Sequence, residues 1–408
     1  MARARTAPAR VSAATLPAAV WIIGFAIFAQ GTSELVIAGL LPELASDLTV
    51  TVSQAGLLVS AFALGMFVGA PILSIVTLRM PRRQSMLLFL AVFIVAHIVA
   101  ATADSYQVLF LTRLIGAFVY AGFWAVGAGT ALQLVPAGSR GRAMSVVAGG
   151  LTVALVVGVP AGTWLGQAFG WRSVFWAIAG LSAVAWFAVF AAVPRFATTA
   201  PPRIAAEMRG LRVPRLWLSY AMTSTSIAAL IGVFSFLGVI LVEVAGFASA
   251  VVPWLLLVYG VGALVGTLLG GRLADRLAVG VLAVGFGCLL IVFVLFALLG
   301  TMQAVVIALV LLLGVAGAMT NPALNARVVT IAPAAPTLAV AGSVSAFNLG
   351  IALGPWLNGS LLDTGSGYVS LIWVGASLAG VALALLCLEW RLQNRHTRWR
   401  REGQLLNV

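Results

Sequence analysis

Twelve stretches of this chain are each apolar over about 20 residues or more, the length a helix needs to cross a bilayer. They fall at 17–41, 54–78, 84–103, 106–135, 143–168, 173–193, 216–242, 250–274, 279–300, 303–332, 337–362 and 368–390. The breaks between them carry Pro, Gly or charge, as turns at a membrane surface do. So many spans in 408 residues leave only short connections and no sizeable soluble domain. Composition agrees: 8% of the residues are charged, against about a quarter in an ordinary soluble domain. The first run follows Arg3, Arg5 and Arg10 and so imitates a signal peptide. It is too long for one and contains Glu34, so it reads as a retained helix.

Arginine placement orients the spans, because cytoplasmic connections collect basic residues. All 23 basic residues are Arg. With the N-terminus inside, 20 of the 23 fall in the tails and the even-numbered connections. Both termini are therefore expected in the cytoplasm, with the protein multi-pass in the inner (plasma) membrane. Arg172 alone sits in an outer loop, and Arg113 and Arg327 lie within spans. Glu43, Asp47, Asp104, Glu243 and Asp363 gather near the outer ends. Membrane orientation accounts for the basic surplus, so no nucleic-acid partner is expected. The Arg-rich tail 391–401 is expected to lie on anionic lipid.

The same census excludes several chemistries. Without Lys there is neither a P-loop nor a Schiff base. His97, His396, Cys288 and Cys387 make no metal-ligating pattern. The two cysteines read as free, buried thiols. No cofactor, metal or enzymatic activity is expected.

The chain also repeats itself at an offset near 197 residues: Leu78-Arg79 matches Asp275-Arg276, and Pro136 matches Pro333. Two pseudo-symmetric six-helix halves follow, 1–194 and 216–408, joined by a cytoplasmic linker at 195–215. Rocking of such halves gives alternating access to a site between them. Small residues recur every fourth position in the second span (Ala61, Gly65, Gly69), the fifth (Gly150 to Gly166), the eighth (Gly262, Gly266, Gly270) and the eleventh (Gly342 to Gly354). These ladders allow close backbone approach, and the expectation is that the halves rock along them.

Several motifs resemble the major facilitator superfamily. Gly271-Arg272-Leu273-Ala274-Asp275-Arg276 is close to that family's loop motif, while the matching first-half connection keeps Arg79, Arg82 and Arg83 but has Leu78 where Asp is usual. Arg113 in Leu-Thr-Arg-Leu-Ile-Gly is similar to the buried-Arg motif of proton-linked members. Gly158-Val159-Pro160-Ala161-Gly162 is an interrupted antiporter motif. Gln30-Gly31-Thr32-Ser33-Glu34, Ala38-Gly39-Leu40-Leu41-Pro42 and the run from Gly170 to Trp176 resemble the 12-helix drug:proton antiporters, and within them the actinobacterial chloramphenicol exporters. The resemblance implies alternating access, a monomer, and conformational roles for Arg82, Arg83, Gly158, Pro160, Gly271, Asp275 and Arg276.

Glu34 reads as the one acid deep within a span, eight residues before Pro42 and so about 12 Å from the outer end. Arg113 lies seven residues after Tyr106, about 10 Å deep. An intramembrane carboxylate is a functional candidate by default. Burial and the Arg113 charge pull its proton affinity in opposite directions, which suits an exchangeable carrier; a fixed Glu34–Arg113 bridge is the alternative. Candidate substrate contacts are Gln30 and Glu34 on one helical face, Tyr120 and Trp124 on the face of Arg113, Tyr220 and Phe234 on the seventh span, Asn321 and Asn325 on the tenth, and Asn348 on the eleventh. Arg327 is expected to snorkel. His97 stands alone on the third span and reads as packing rather than as a proton relay.

Together these residues point to proton-coupled efflux of a small amphiphilic drug, chloramphenicol or a related phenicol. A sugar or nucleoside exporter would want more hydrogen-bonding groups on the inward faces. A non-transporting sensor would need no central cavity.

Overall fold

In a computed structural model the chain is described at residues 16–77, 80–136, 139–194, 213–333 and 336–405. Arg3, Arg5, Arg10, Leu78, Arg79 and most of the linker lie outside those residues, as do the side chains of Asp275, Arg276 and the tail beyond Arg391.

Among the described residues 12 helices are long and apolar enough to span a membrane. In chain order they are α1 Ala18–Gly39, α2 Val52–Leu73, α3 Arg82–Ala101, α4 Tyr106–Gln133, α5 Arg140–Phe169, α6 Trp171–Ala192, α7 Pro214–Ser235, α8 Ser249–Ala274, α9 Val279–Leu299, α10 Gln303–Val328, α11 Ala339–Asp363 and α12 Val369–Arg391. Most agree with the apolar runs to within a few residues. The largest difference is at α7, which breaks at Phe236 before a short helix, Leu237–Glu243. Between α5 and α6 a single residue reverses the chain: Gly170 stands at φ 82°, where a side chain would strain the backbone.

The ladders do not lie between the halves, contrary to the expectation. A Cβ on Gly150, Gly158 or Gly162 of α5 would strike α1, one on Gly166 would strike Leu40 just beyond α1, and one on Gly65 or Gly69 of α2 would strike α4. In the second half Gly350 and Gly354 of α11 meet α7, and Gly262, Gly266 and Gly270 of α8 meet the backbone of α10. The pairings α1–α5 and α2–α4 therefore recur as α7–α11 and α8–α10. Lipid is as apolar as any side chain, so close backbone packing is what holds helices of one half together.

The halves meet through other residues. At the end bearing the acidic residues, Ser53 donates to Asp363 Oδ2 at 3.0 Å, and Gln167 donates to the Ser249 carbonyl at 3.1 Å. Gly56 sits under Phe236, Gly238 against the Ala38 carbonyl, and Gly260 against Leu155 and Val156. The same end holds Arg172, which lies in the first turn of α6 rather than in a loop and pairs with Asp47 and Asp104.

Cys288 and Cys387 are free but exposed on the flanks of the bundle rather than buried. A thiol is as much at home against lipid as in a core.

Candidate functional site

Successive helical residues point about 100° apart, and at the end of α1 this separates two adjacent polar side chains. Ser33 turns back into the first half, while Glu34 turns to a cavity between the halves. That cavity has a volume of about 370 Å³, within the usual range of small-molecule sites. The first half lines it with Glu34, Met66, Tyr120, Trp124, Leu151 and Thr152. The second half contributes Thr267, Asn321, Pro322, Asn325, Ser343, Phe347 and Asn348. An inner recess of about 150 Å³ shares Glu34 and Asn321 and reaches Phe234 and Tyr259. From Glu34 the lining runs toward the end of the bundle that carries the arginines.

Glu34 is 7% exposed and, among the described residues, its carboxylate makes no ion pair within 4 Å. Arg113 does not bridge to it. The guanidinium, 2% exposed, donates from Nη1 to Ser33 Oγ at 2.7 Å and from Nη2 to the backbone carbonyl of Glu34 at 3.4 Å. It also lies 4.2 Å from the centroid of the Phe62 ring, a cation–π contact that offsets part of the cost of burial. Behind Ser33, and 2.7 Å from its Oγ, stands Nε2 of His97 on α3. His97 belongs to this site, which its isolation in the sequence concealed.

The α5 wall carries a π-bulge at Ala154–Gly158, where the Val159 N–H reaches back five residues to the Ala154 carbonyl. Pro160 follows and cannot supply the next regular bond, and bulges of this kind commonly mark functional segments. The interrupted antiporter-like motif thus follows a π-helical turn of α5 beside Leu151, Thr152 and Leu155, which line the cavity and its recess.

Of the candidate contacts, Glu34, Tyr120, Trp124, Asn321, Asn325 and Asn348 come together around one space, and Phe234 joins them in the recess. Asn325 accepts from Ser343 at 3.2 Å and donates to the Asn321 carbonyl at 3.1 Å, while Asn348 Oδ1 is buried with no hydrogen-bond partner among the described residues. Gln30 and Tyr220 lie apart from the cavity lining. Gln30 donates back to its own helix at Ala26, and the Tyr220 hydroxyl donates to the Ala339 carbonyl at 2.8 Å, tying α7 to α11.

One further expectation is corrected. Arg327 does not snorkel, since it is 8% exposed and ion-paired to Glu389, a second buried acid (1% exposed) near the end of α12, which Arg215 also contacts at 3.4 Å. The partners lie on α7, α10 and α12, and no spacing along the chain reveals such a triad.

At the arginine-bearing end Arg83 donates to the Phe190 carbonyl and lies 4.8 Å from that ring, tying α3 to α6. Arg82 covers Gly129 of α4. Gly271 faces open space, and the loop motif that it begins is followed by Leu277, whose φ of −139° and ψ of 48° break the helix between α8 and α9.

The sequence model of the Major Facilitator Superfamily matches residues 23–277 and, in a second match, 216–405. A chloramphenicol resistance protein of Streptomyces lividans is 38% identical over 372 residues, covering 90% of this chain and 95% of that protein. The inner membrane transport protein YdhP of Escherichia coli K12 is 33% identical, over 90% of this chain and 94% of that protein. The crystal structure of the nucleoside transporter NupG (D323A mutant) superposes with a TM-score of 0.77 at 15% identity, covering 92% of this chain and 99% of that one. The chain belongs to the Major Facilitator Superfamily: it is a transporter, not an enzyme, and it has that family's fold of two six-helix halves.

Proposed function

We propose that this transporter exports a small amphiphilic drug of the phenicol class across the inner membrane in exchange for protons. The observation that carries the reading is the Glu34 carboxylate, buried on the cavity wall with no ion pair to hold it among the described residues. Such a group binds a proton when the cavity is empty and gives it up when cargo occupies the same space. With the arginine-bearing connections inside, both termini are cytoplasmic. The conformation described here, with its halves apposed at the acidic end, then has its cavity running from Glu34 toward the cytoplasm. The exchange of proton for drug would follow rocking of the halves 1–194 and 216–408 about the linker 195–215.

The cargo class is supported by Tyr120, Trp124, Met66, Leu151 and Phe347, which offer aromatic and apolar surface opposite a few amides. It is further supported by the similarity to a protein named for chloramphenicol resistance. The amides also favour a second reading. Asn321, Asn325, Ser343 and Asn348 form a hydrogen-bonding wall of the kind a sugar or nucleoside exporter would use.

The test is proton movement in everted vesicles. Chloramphenicol is expected to dissipate a preformed pH gradient, pentoses to leave it intact, and Glu34→Gln to abolish the response. A response to pentoses alone would establish the second reading. Full gradient-driven export by Glu34→Gln would exclude Glu34 as the carrier.

A further inference from the structure

The hydrogen bonds behind Glu34 have only one consistent set of directions. His97 Nδ1 lies 2.8 Å from the Phe93 carbonyl, which can only accept, so Nδ1 carries the imidazole proton and Nε2 is an acceptor. Arg113 Nη1 can only donate, so Ser33 Oγ accepts from it at 2.7 Å and turns its own hydroxyl proton to His97 Nε2, also at 2.7 Å. The imidazole is stacked on Phe93 with ring centroids 4.0 Å apart and is 3% exposed. A second proton on it would aim two cations at one hydroxyl oxygen. Neutral His97 therefore orients Ser33, and Ser33 holds Arg113.

We propose that Ser33 and His97 are positioning residues that tether the Arg113 guanidinium to the back of α1 and so keep it off the Glu34 carboxylate. This rests on the reading of Glu34 as the proton carrier and adds what keeps that carrier free. Arg113 Nη2 already lies 3.4 Å from the Glu34 carbonyl, so the carboxylate of the same residue is within reach of a rotamer change on either side chain. A buried guanidinium that loses one partner takes another, because leaving it unpaired is costly. With the tether cut, the nearby anion is Glu34. The pair that then forms stabilises the ionised acid, by about one to three pH units for a carboxylate against Arg. The ionisable groups around Glu34 are Arg113 and Tyr120 on α4, His97 on α3 and Tyr259 across the recess. In the native arrangement none of them forms an ion pair with it.

Carbodiimide labelling of the full-length protein in nanodiscs tests this without any cargo, because the reagent modifies a buried carboxyl only in its protonated form. The readout is the pH midpoint of dicyclohexylcarbodiimide incorporation at Glu34, followed by mass spectrometry. Ser33→Ala, a nearly isosteric change, is expected to move that midpoint to lower pH by about one unit or more. His97→Leu should do the same, and Ser33→Thr, which restores the hydroxyl, should return it to the wild-type value. His97→Gln, whose amide oxygen can still accept from Ser33, is expected to keep the wild-type midpoint, and Ser33→Ala carries the test should the leucine variant fail to fold. A common midpoint for wild type and Ser33→Ala would overturn the proposal. Normal labelling together with no drug-evoked proton movement would instead defeat the export reading alone.

Discussion

Each half of the bundle buries a carboxylate near an arginine, and the two are arranged in opposite ways. In the first half Ser33 and a backbone carbonyl hold Arg113, and the Glu34 carboxylate is left facing a cavity. In the second half Glu389 is clamped by Arg327 and Arg215 near the arginine-bearing end. A charge pair closed on itself in a low-dielectric interior resists separation, because breaking it leaves a buried ion uncompensated. A carboxylate held away from its counter-charge can exchange a proton at small structural cost. On the proposed function, the difference separates a group arranged for turnover from one arranged for cohesion, although both consist of an acid and arginine inside a membrane helix.

The comparison breaks if the two acids respond alike to neutralisation. Glu34→Gln should have the largest functional effect, complete loss of proton-coupled transport, with the thermal midpoint unchanged or raised because no ion pair is lost. Glu389→Gln should do the reverse. Stranding Arg327 is expected to cost about 3–5 kcal/mol, read as a large fall in thermal midpoint in detergent, while protein that remains folded still couples protons to cargo. A large stability loss in the first variant, or uncoupling in the second, would erase the distinction.

The packing within each half allows a finer test. A Cβ on Gly266 would stand 2.2 Å from the Val315 carbonyl oxygen of α10, where only a backbone shift makes room. Gly266→Ala is therefore expected to cost about 1–3 kcal/mol through separation of α8 from α10. At Gly260 the added Cβ would meet α5 of the other half at 2.8 Å. The same substitution there should shift the balance between conformations more than it shifts stability, a difference that accessibility labelling at the acidic end would resolve. Equal effects at both glycines would return the ladders to the seam between the halves.

What could be read in advance follows from what a bilayer makes visible along a chain. Spans were legible because about 20 apolar residues in a row have few other uses, and Glu34 because an acid inside such a run is expensive. The faces of the helices were less legible. Lipid and protein interior are both apolar, so periodicity does not distinguish Cys288 facing outward from Phe286 at 0% exposure in the core. For the same reason the glycine ladders could be found but not assigned to a partner helix. Pairings between distant spans were hidden altogether. Arg327 with Glu389, and Ser33 with His97, are separated by 62 and 64 residues and share no motif. Glu389 lies one residue from the end of its apolar run, a position that does not distinguish a buried acid from one at the membrane surface.

The smallest effect is expected outside the membrane, where an ion pair has neither the freedom of Glu34 nor the burial of Glu389. Asp47 accepts from the Trp171 indole at 2.9 Å and from Arg172, and those two hydrogen bonds hold its carboxyl below the usual carboxylate range. A depressed folded-state value means that the stabilisation is present above the unfolded value and is lost as pH falls through the folded one. The Asp47 side chain is 46% exposed, so solvent screening limits the pair to below about 1 kcal/mol. Asp47→Asn should lower the thermal midpoint slightly at neutral pH, and the gap from wild type should close as the medium is acidified through the carboxylate range. A gap that persisted in acid would mean that the Trp171 hydrogen bond, rather than the charge, joins the short helix Leu41–Asp47 to α6.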